Sequence, residues 1–200
     1  MIDKLLPLLS LASSLLFIKS EKLIHARFSF CFAVSFSSLT LYAFGNFFSS
    51  IGYLTILSVF SSGLIGFIEN KFKLTLCGKT SFKHFLSLIL ASTLIIYLSQ
   101  LETSGLLASA FIAVYAIIFK FNILKRFMAL LLFEGSLFPF IEIYFKHSLL
   151  SIILLTIVFC SSLILAYAAN FIFNSKLNYE GGAAKNENFN LRLNRIRWNK

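Results

Sequence analysis

Long apolar runs, separated by short polar and basic segments, constrain this chain more than any other feature. A membrane-spanning helix needs about 20 predominantly apolar residues. Seven runs approach or reach that length: Leu5–Ile18, Phe28–Gly45, Phe47–Ile68, Phe82–Leu101, Ser104–Phe119, Phe127–Phe145 and Leu149–Phe173. With 58% hydrophobic and 13% charged residues, the 200-residue chain has more apolar surface than a soluble core of its size needs. The runs predict an all-α, polytopic transmembrane bundle of about seven spans.

The basic residues are unevenly distributed between the two ends of these runs. If the seven runs alternate in direction, 16 of the 18 lysines and arginines fall on one side, and only Lys4 and Lys146 fall on the other. Positive charge collects on the cytoplasmic face of membrane proteins. The pattern therefore predicts an outside N-terminus, a cytoplasmic C-terminus and a multi-pass protein of the cell inner (plasma) membrane. We expect anionic lipid at the basic face.

Nucleic acid is not expected as a partner. The 25 phenylalanines are not interleaved with lysine or arginine as they would be on a nucleic-acid surface. The net charge of +10 is thus interpreted as a membrane signal.

The chain divides by composition into a transmembrane domain, residues 1–173, and a basic cytoplasmic tail, residues 174–200. The first run is short and has Pro7 near its start, yet no small-residue cleavage site follows it, so we expect an uncleaved helix. The tail fits two interpretations equally well. It is either a stop-transfer tail held by anionic lipid or a docking strip for a cytoplasmic partner.

Small residues recur at every fourth position in several runs. Ser29, Ala33 and Ser37 share one helical face, as do Gly105, Ser109 and Ala113. Such spacing lets membrane helices approach each other closely. The pattern favours a compact bundle over a substrate path.

An acid lies deep inside the sixth run. Glu134 is about 10 Å from the basic end of that run, at 1.5 Å per residue. Ionisable side chains inside the membrane are expensive and usually mark ion or proton routes. Pro139 has no N–H, so it frees the Gly135 carbonyl beside the acid, where water could hydrate it, and Ser136 adds a polar neighbour. We interpret Glu134 as a proton-transfer residue.

A structural role for Glu134 is the alternative. The acid could be hydrogen-bonded to serines of neighbouring helices, or paired with Lys125 or Arg126. Glu142, about 12 Å further along the axis, is a weaker proton-transfer candidate that we place near the outer interface. The two acids are too far apart for direct exchange, so a relay between them would need water or residues from another subunit.

No metal site is expected. The three cysteines and three histidines are isolated and lack ligand spacing. Phosphate loops and nucleophile motifs are also missing from the sequence. We therefore expect no cofactor and no active site in this chain alone.

A short motif opens the sixth run. Asn122-Ile123-Leu124-Lys125-Arg126 is followed, after seven apolar residues, by Glu134-Gly135-Ser136. This motif resembles the hydrogenase-4 component E family, and so does the opening region Leu5–Phe44, with Lys19-Ser20-Glu21-Lys22 between its first two runs. Members of that family are membrane subunits of group 4 nickel–iron hydrogenase and formate hydrogenlyase complexes. Their last three helices are similar to subunit K of respiratory complex I and to a subunit of multisubunit cation/proton antiporters.

The resemblance implies roles for particular residues. Glu134 would be a proton-carrying residue on a lateral proton path. Asn122, Lys125 and Arg126 would form the cytoplasmic turn before it. The implied partners are antiporter-like and other membrane-arm subunits, together with hydrogenase or oxidoreductase peripheral subunits. The last run departs from the family pattern because it has no acid, only Thr156 and Asn170 as polar alternatives. A relay of two carboxylates is therefore in doubt, and the chain could instead be a structural connector.

We predict a non-catalytic subunit of a redox-linked, proton-translocating complex. Two other classes stay open. A stand-alone small transporter should contain inverted repeats with helices broken at corresponding places. A purely structural membrane anchor should tolerate the loss of the Glu134 carboxylate.

Overall fold

The described part of the chain is helical throughout. The computed structural model describes residues 2–71, 81–99, 101–119, 123–145 and 149–171. These ranges contain α1 (Ile2–Lys19), α2 (Leu23–Ala43), α3 (Phe47–Lys71), α4 (Phe82–Ser99), α5 (Ser104–Phe119), α6 (Ile123–Phe145) and α7 (Leu149–Phe171). No strand occurs among the described residues, so the predicted all-α class is confirmed. Asn122 and the tail 174–200 lie outside the described residues.

Five of these helices are long and apolar enough to cross a membrane: α2, α3, α4, α6 and α7. Helix α5 is apolar but only 16 residues long. Helix α1 has 18 residues, and Asp3, Lys4 and Lys19 are among them. Five such helices indicate a membrane protein. Seven crossings and the direction of insertion stay predictions.

Four helices form the centre of the first of two compact units, residues 1–166. Helix α1 packs on α2, α2 on α6, α6 on α5, and α5 on α1, while α3 lies against α2 and α4 against α5. The small-residue faces predicted from the sequence lie in this core. Ser10 of α1 donates to the Ala33 carbonyl at 3.0 Å, and its oxygen lies 2.9 Å from that of Ser37.

The second unit is residues 167–200. Only its first five residues, 167–171, belong to the described part of the chain, where they form the end of α7. Asn170 is one of them.

At the predicted cytoplasmic side, the start of one helix meets the end of another in two places. The buried Lys125 Nζ at the start of α6 donates to the carbonyls of Ile18, at 3.1 Å, and Ser20, at 2.7 Å, at the end of α1. Arg27 and Glu69 pair there at 3.2 Å, joining the start of α2 to the end of α3. These contacts bring basic helix ends together at one side of the bundle.

At the opposite side of the bundle, Lys4 near the start of α1 lies 3.6 Å from Glu102, which precedes α5. These contacts indicate that α1 and α5 run in the same direction, that α6 runs opposite to α1, and that α3 runs opposite to α2.

Helix α3 is interrupted in its middle. An α-helical start, Phe47–Tyr53, is followed by a π-helical stretch, Leu54–Ser61, and the α-helix resumes at Ser62. The Ser61 hydroxyl donates to the Ile56 carbonyl, five residues back, at 2.7 Å. Long π-helical stretches are rare, and π-bulges occur frequently at functional sites. The hydropathy of the run gave no sign of this irregularity.

Candidate functional site

Both acids of α6 are buried inside the protein. Glu134 is 8% exposed and Glu142 is 1% exposed. They lie about 12 Å apart along the helix axis, at 1.5 Å per residue. Buried carboxyl groups are costly unless they are hydrogen-bonded or paired, so the structure has to supply polar partners for both.

Helix α7 provides the partner of Glu134. The Ser161 hydroxyl donates to Glu134 Oε2 at 2.5 Å. A serine on a neighbouring helix was one structural alternative for this acid, and that contact is present. A hydroxyl partner also suits a proton-transfer residue, because it can donate to the carboxylate and accept from the protonated acid.

Glu142 is enclosed by hydroxyl groups of α3 and α7. The Tyr53 hydroxyl donates to Glu142 Oε1 at 3.3 Å. The hydroxyls of Ser49 and Ser151 approach the same carboxyl group. The sequence interpretation places Glu142 near the outer interface, beside Lys146. The structure adds that its carboxyl group is buried between helices, because residues of α3 and α7 cover this face of α6.

Tyr53 is the aromatic residue of this site. Its side chain is fully buried, its hydroxyl binds Glu142, and the charge of Glu134 also acts on it. Tyr53 is the last residue before the π-helical stretch of α3. The sequence interpretation required water or residues from another subunit between the acids, and Tyr53 adds a hydroxyl of the same chain on the Glu142 side. We call Glu134, Glu142, Tyr53, Ser49, Ser151 and Ser161 the acid cluster.

A glycine lets α3 and α2 approach α6 beside the cluster. A Cβ atom at Gly135 would lie 2.8 Å from Leu57 Cδ1 and 3.3 Å from Val34 Cγ2. The space beside Glu134 is therefore filled by apolar side chains of α2 and α3. Next to it, the hydroxyl of the fully buried Ser136 has no hydrogen-bond partner within the described ranges.

Other residues proposed from the sequence lie elsewhere. Thr156 is on the exposed face of α7, and its hydroxyl donates to the Ile152 carbonyl of its own helix at 2.8 Å. Lys125 binds the end of α1, as described above, and Arg126 is next to it on α6. Ser136 lies two residues after Glu134 in α6.

The described residues contain no group of three or more histidine, cysteine, aspartate or glutamate side chains that could hold a metal ion. The chemistry available to the acid cluster is therefore that of carboxyl and hydroxyl groups. Such groups bind, release and pass protons.

The chain matches no family model, no curated protein and no solved structure. The resemblance to the hydrogenase-4 component E family thus stays a prediction from the motif around Glu134.

Proposed function

We propose that this chain is a membrane subunit of a redox-linked proton-translocating complex of the hydrogenase-4 or formate hydrogenlyase type. It would cross the membrane seven times, with its N-terminus outside and its C-terminus in the cytoplasm. Its contribution would be a segment of the proton path through the membrane arm. The observation that carries the proposal is the pair of buried acids on α6, one bound to the buried Tyr53 hydroxyl and the other to the Ser161 hydroxyl.

The acid cluster supplies both kinds of group that a proton path needs. A protonated Glu134 would release its proton through water toward the Tyr53 side, while Ser161 stays hydrogen-bonded to the carboxylate that is left. Tyr53 would donate its own proton to Glu142 and accept one in its place, so the phenol is unchanged after a transfer. In this route Glu142 of α6 would serve as the second carboxylate, in place of the acid that the last run lacks.

The driving reaction would belong to partner subunits. A change of charge or hydration in a neighbouring antiporter-like subunit would shift the proton between the two acids. Electrons would pass through the peripheral hydrogenase or oxidoreductase subunits of the same complex.

Purification of the affinity-tagged chain from native membranes tests the assembly. We expect antiporter-like membrane subunits and the large subunit of a nickel–iron hydrogenase or a related oxidoreductase to co-purify. Recovery of the chain alone under conditions that preserve other respiratory complexes would contradict the proposal.

A stand-alone transporter is the second candidate, and one observation favours it. The third helix is interrupted by its π-helical stretch, and the sixth contains Pro139. Irregular helices at corresponding places of two halves are typical of inverted-repeat transporters. Proton flux into liposomes that contain only this purified chain would support the transporter, whereas the complex subunit predicts no flux without its partners.

A further inference from the structure

A groove lies along the contact between α3 and α7, at the end of the bundle opposite the basic residues. Its volume is about 840 Å³, within the range of roughly 300–1,000 Å³ that small-molecule sites occupy. The helices touch beside it, where a Cβ at Gly52 would lie 2.8 Å from Leu155 Cδ1. Phe48 and Ile152 border the groove and are 87% and 65% exposed. The groove therefore opens on the outer surface of two apolar helices.

The polar groups that face a ligand lie at the outer end of the groove. Asn46, Ser49 and Ser151 line this end, at the starts of α3 and α7, together with the exposed Phe48. Ile56, Thr156 and Phe159 line the inner end, where the Thr156 hydroxyl donates to a carbonyl of its own helix. Among the described residues, no charged side chain lines the groove. This lining suits a molecule whose hydrogen-bonding part, such as the glycerol esters of a lipid, lies at the membrane surface and whose apolar chain is directed inward.

The length of the groove distinguishes between possible occupants. From Phe47 to Ile56 it extends about 14 Å, at 1.5 Å per residue. That is close to one leaflet, half of the roughly 30 Å hydrocarbon thickness. A helix of a second membrane protein would need a groove of about twice this length. One acyl chain of a phospholipid fits it.

We propose that this groove is a specific phospholipid site. One acyl chain lies between α3 and α7, and the glycerol ester oxygens accept hydrogen bonds from the Asn46 amide at the outer end. Ser49 and Ser151 face the groove and also Glu142. The lipid would therefore cover the side of the acid cluster that faces the bilayer. The proposal needs only the membrane location of the chain and is independent of the partners named above.

Native mass spectrometry of the full chain, purified in a mild non-ionic detergent, tests the site. The wild type should retain a single phospholipid after detergent removal. Thr156→Trp places an indole in the groove from an exposed position and should lower the lipid-bound fraction by about tenfold or more, a loss of at least about 1.4 kcal/mol of binding. Phe48→Ala removes an exposed wall of the groove and should lower retention as well.

The matched control is Ile164→Trp. This residue is 66% exposed on the same helix and does not line the groove, so retention should equal that of the wild type. Circular dichroism of all variants checks that the helices are intact. A wild type without bound phospholipid, equal retention in Thr156→Trp and the control, or a quinone or polypeptide in the groove would each overturn the proposal.

Discussion

At the scale of single residues, the hydroxyl of Tyr53 is the group on which a path between the acids depends. Tyr53→Phe removes this hydroxyl and keeps the ring that fills the buried space. We expect intact assembly and a decrease of about 10²–10⁴-fold in the transfer step, the usual contribution of a positioned acid–base group. The measurement is the rate of redox-driven acidification of inside-out vesicles that contain the complex.

Tyr144→Phe is the control for that substitution. Tyr144 is on the same helix as the acids but outside the acid cluster, and its hydroxyl lies 3.1 Å from Thr103 Oγ1. The vesicles should acidify at the wild-type rate. Equal rates for the two tyrosine variants would show that the Tyr53 hydroxyl is not used.

The sequence indicates the acids of the site but not their hydroxyl partners. Glu134 is conspicuous because it is an acid inside an apolar run. Tyr53 is not conspicuous, because tyrosine is common in membrane helices and only the packing of α3 against α6 brings it to Glu142. The same packing buries the Glu142 carboxyl group, which hydropathy alone could not show.

At the scale of helices, a glycine sets the distance between α1 and α5. A Cβ atom at Gly105 would overlap the backbone carbonyl group of Pro7, which cannot rotate away as a side chain can. We expect Gly105→Ala to lower the free energy of unfolding by about 1–3 kcal/mol, as overpacking does. Unfolding by titration with sodium dodecyl sulfate measures this change.

Gly63→Ala gives the comparison. Gly63 is also helical, and a Cβ there meets nothing within 4 Å. Alanine is favoured over glycine inside a helix by about 0.5–1 kcal/mol, so this variant should be at least as stable as the wild type. A stable Gly105→Ala protein would contradict the close approach of α1 and α5.

The buried Lys125 joins two further helices. Lys125→Met keeps the apolar stem and leaves the carbonyls of Ile18 and Ser20 without this donor. Hydrogen bonds to charged groups contribute about 1.5–3 kcal/mol each, so the loss of both should lower the unfolding free energy by at least about 1.5–3 kcal/mol. Lys83→Met, at an exposed position on α4, should change it by less than about 0.5 kcal/mol.

The existence and order of the helices could be predicted because each apolar run is bounded by charged or polar segments. The predicted Ser104–Phe119 run has the same bounds as α5. The start of α6 is less predictable. That helix begins at Ile123, four residues before the predicted run, and includes Lys125. Hydropathy excludes a lysine from such a run, whereas the carbonyls at the end of α1 make it compatible with burial.

At the scale of the whole molecule, the number of crossings can be tested with reporter fusions. If the chain crosses seven times, alkaline phosphatase should be active when it is fused after residue 147 and inactive when it is fused after residue 200. The decisive position is the N-terminus. A tag there should be cut by protease added to intact spheroplasts, and protection of that tag would show that α1 does not cross.

The central claim is that the buried carboxyl group of Glu134 carries protons through a redox-linked complex. Its most direct test uses inside-out vesicles from cells in which the Glu134→Gln variant replaces the native chain. Formate-driven acidification of these vesicles is measured by the quenching of a ΔpH-sensitive acridine dye. The amide keeps the size and the Ser161 contact, so the complex should assemble in wild-type amounts and oxidise formate. We predict that the dye quenching is lost or strongly reduced. Undiminished quenching at wild-type formate oxidation would contradict the account.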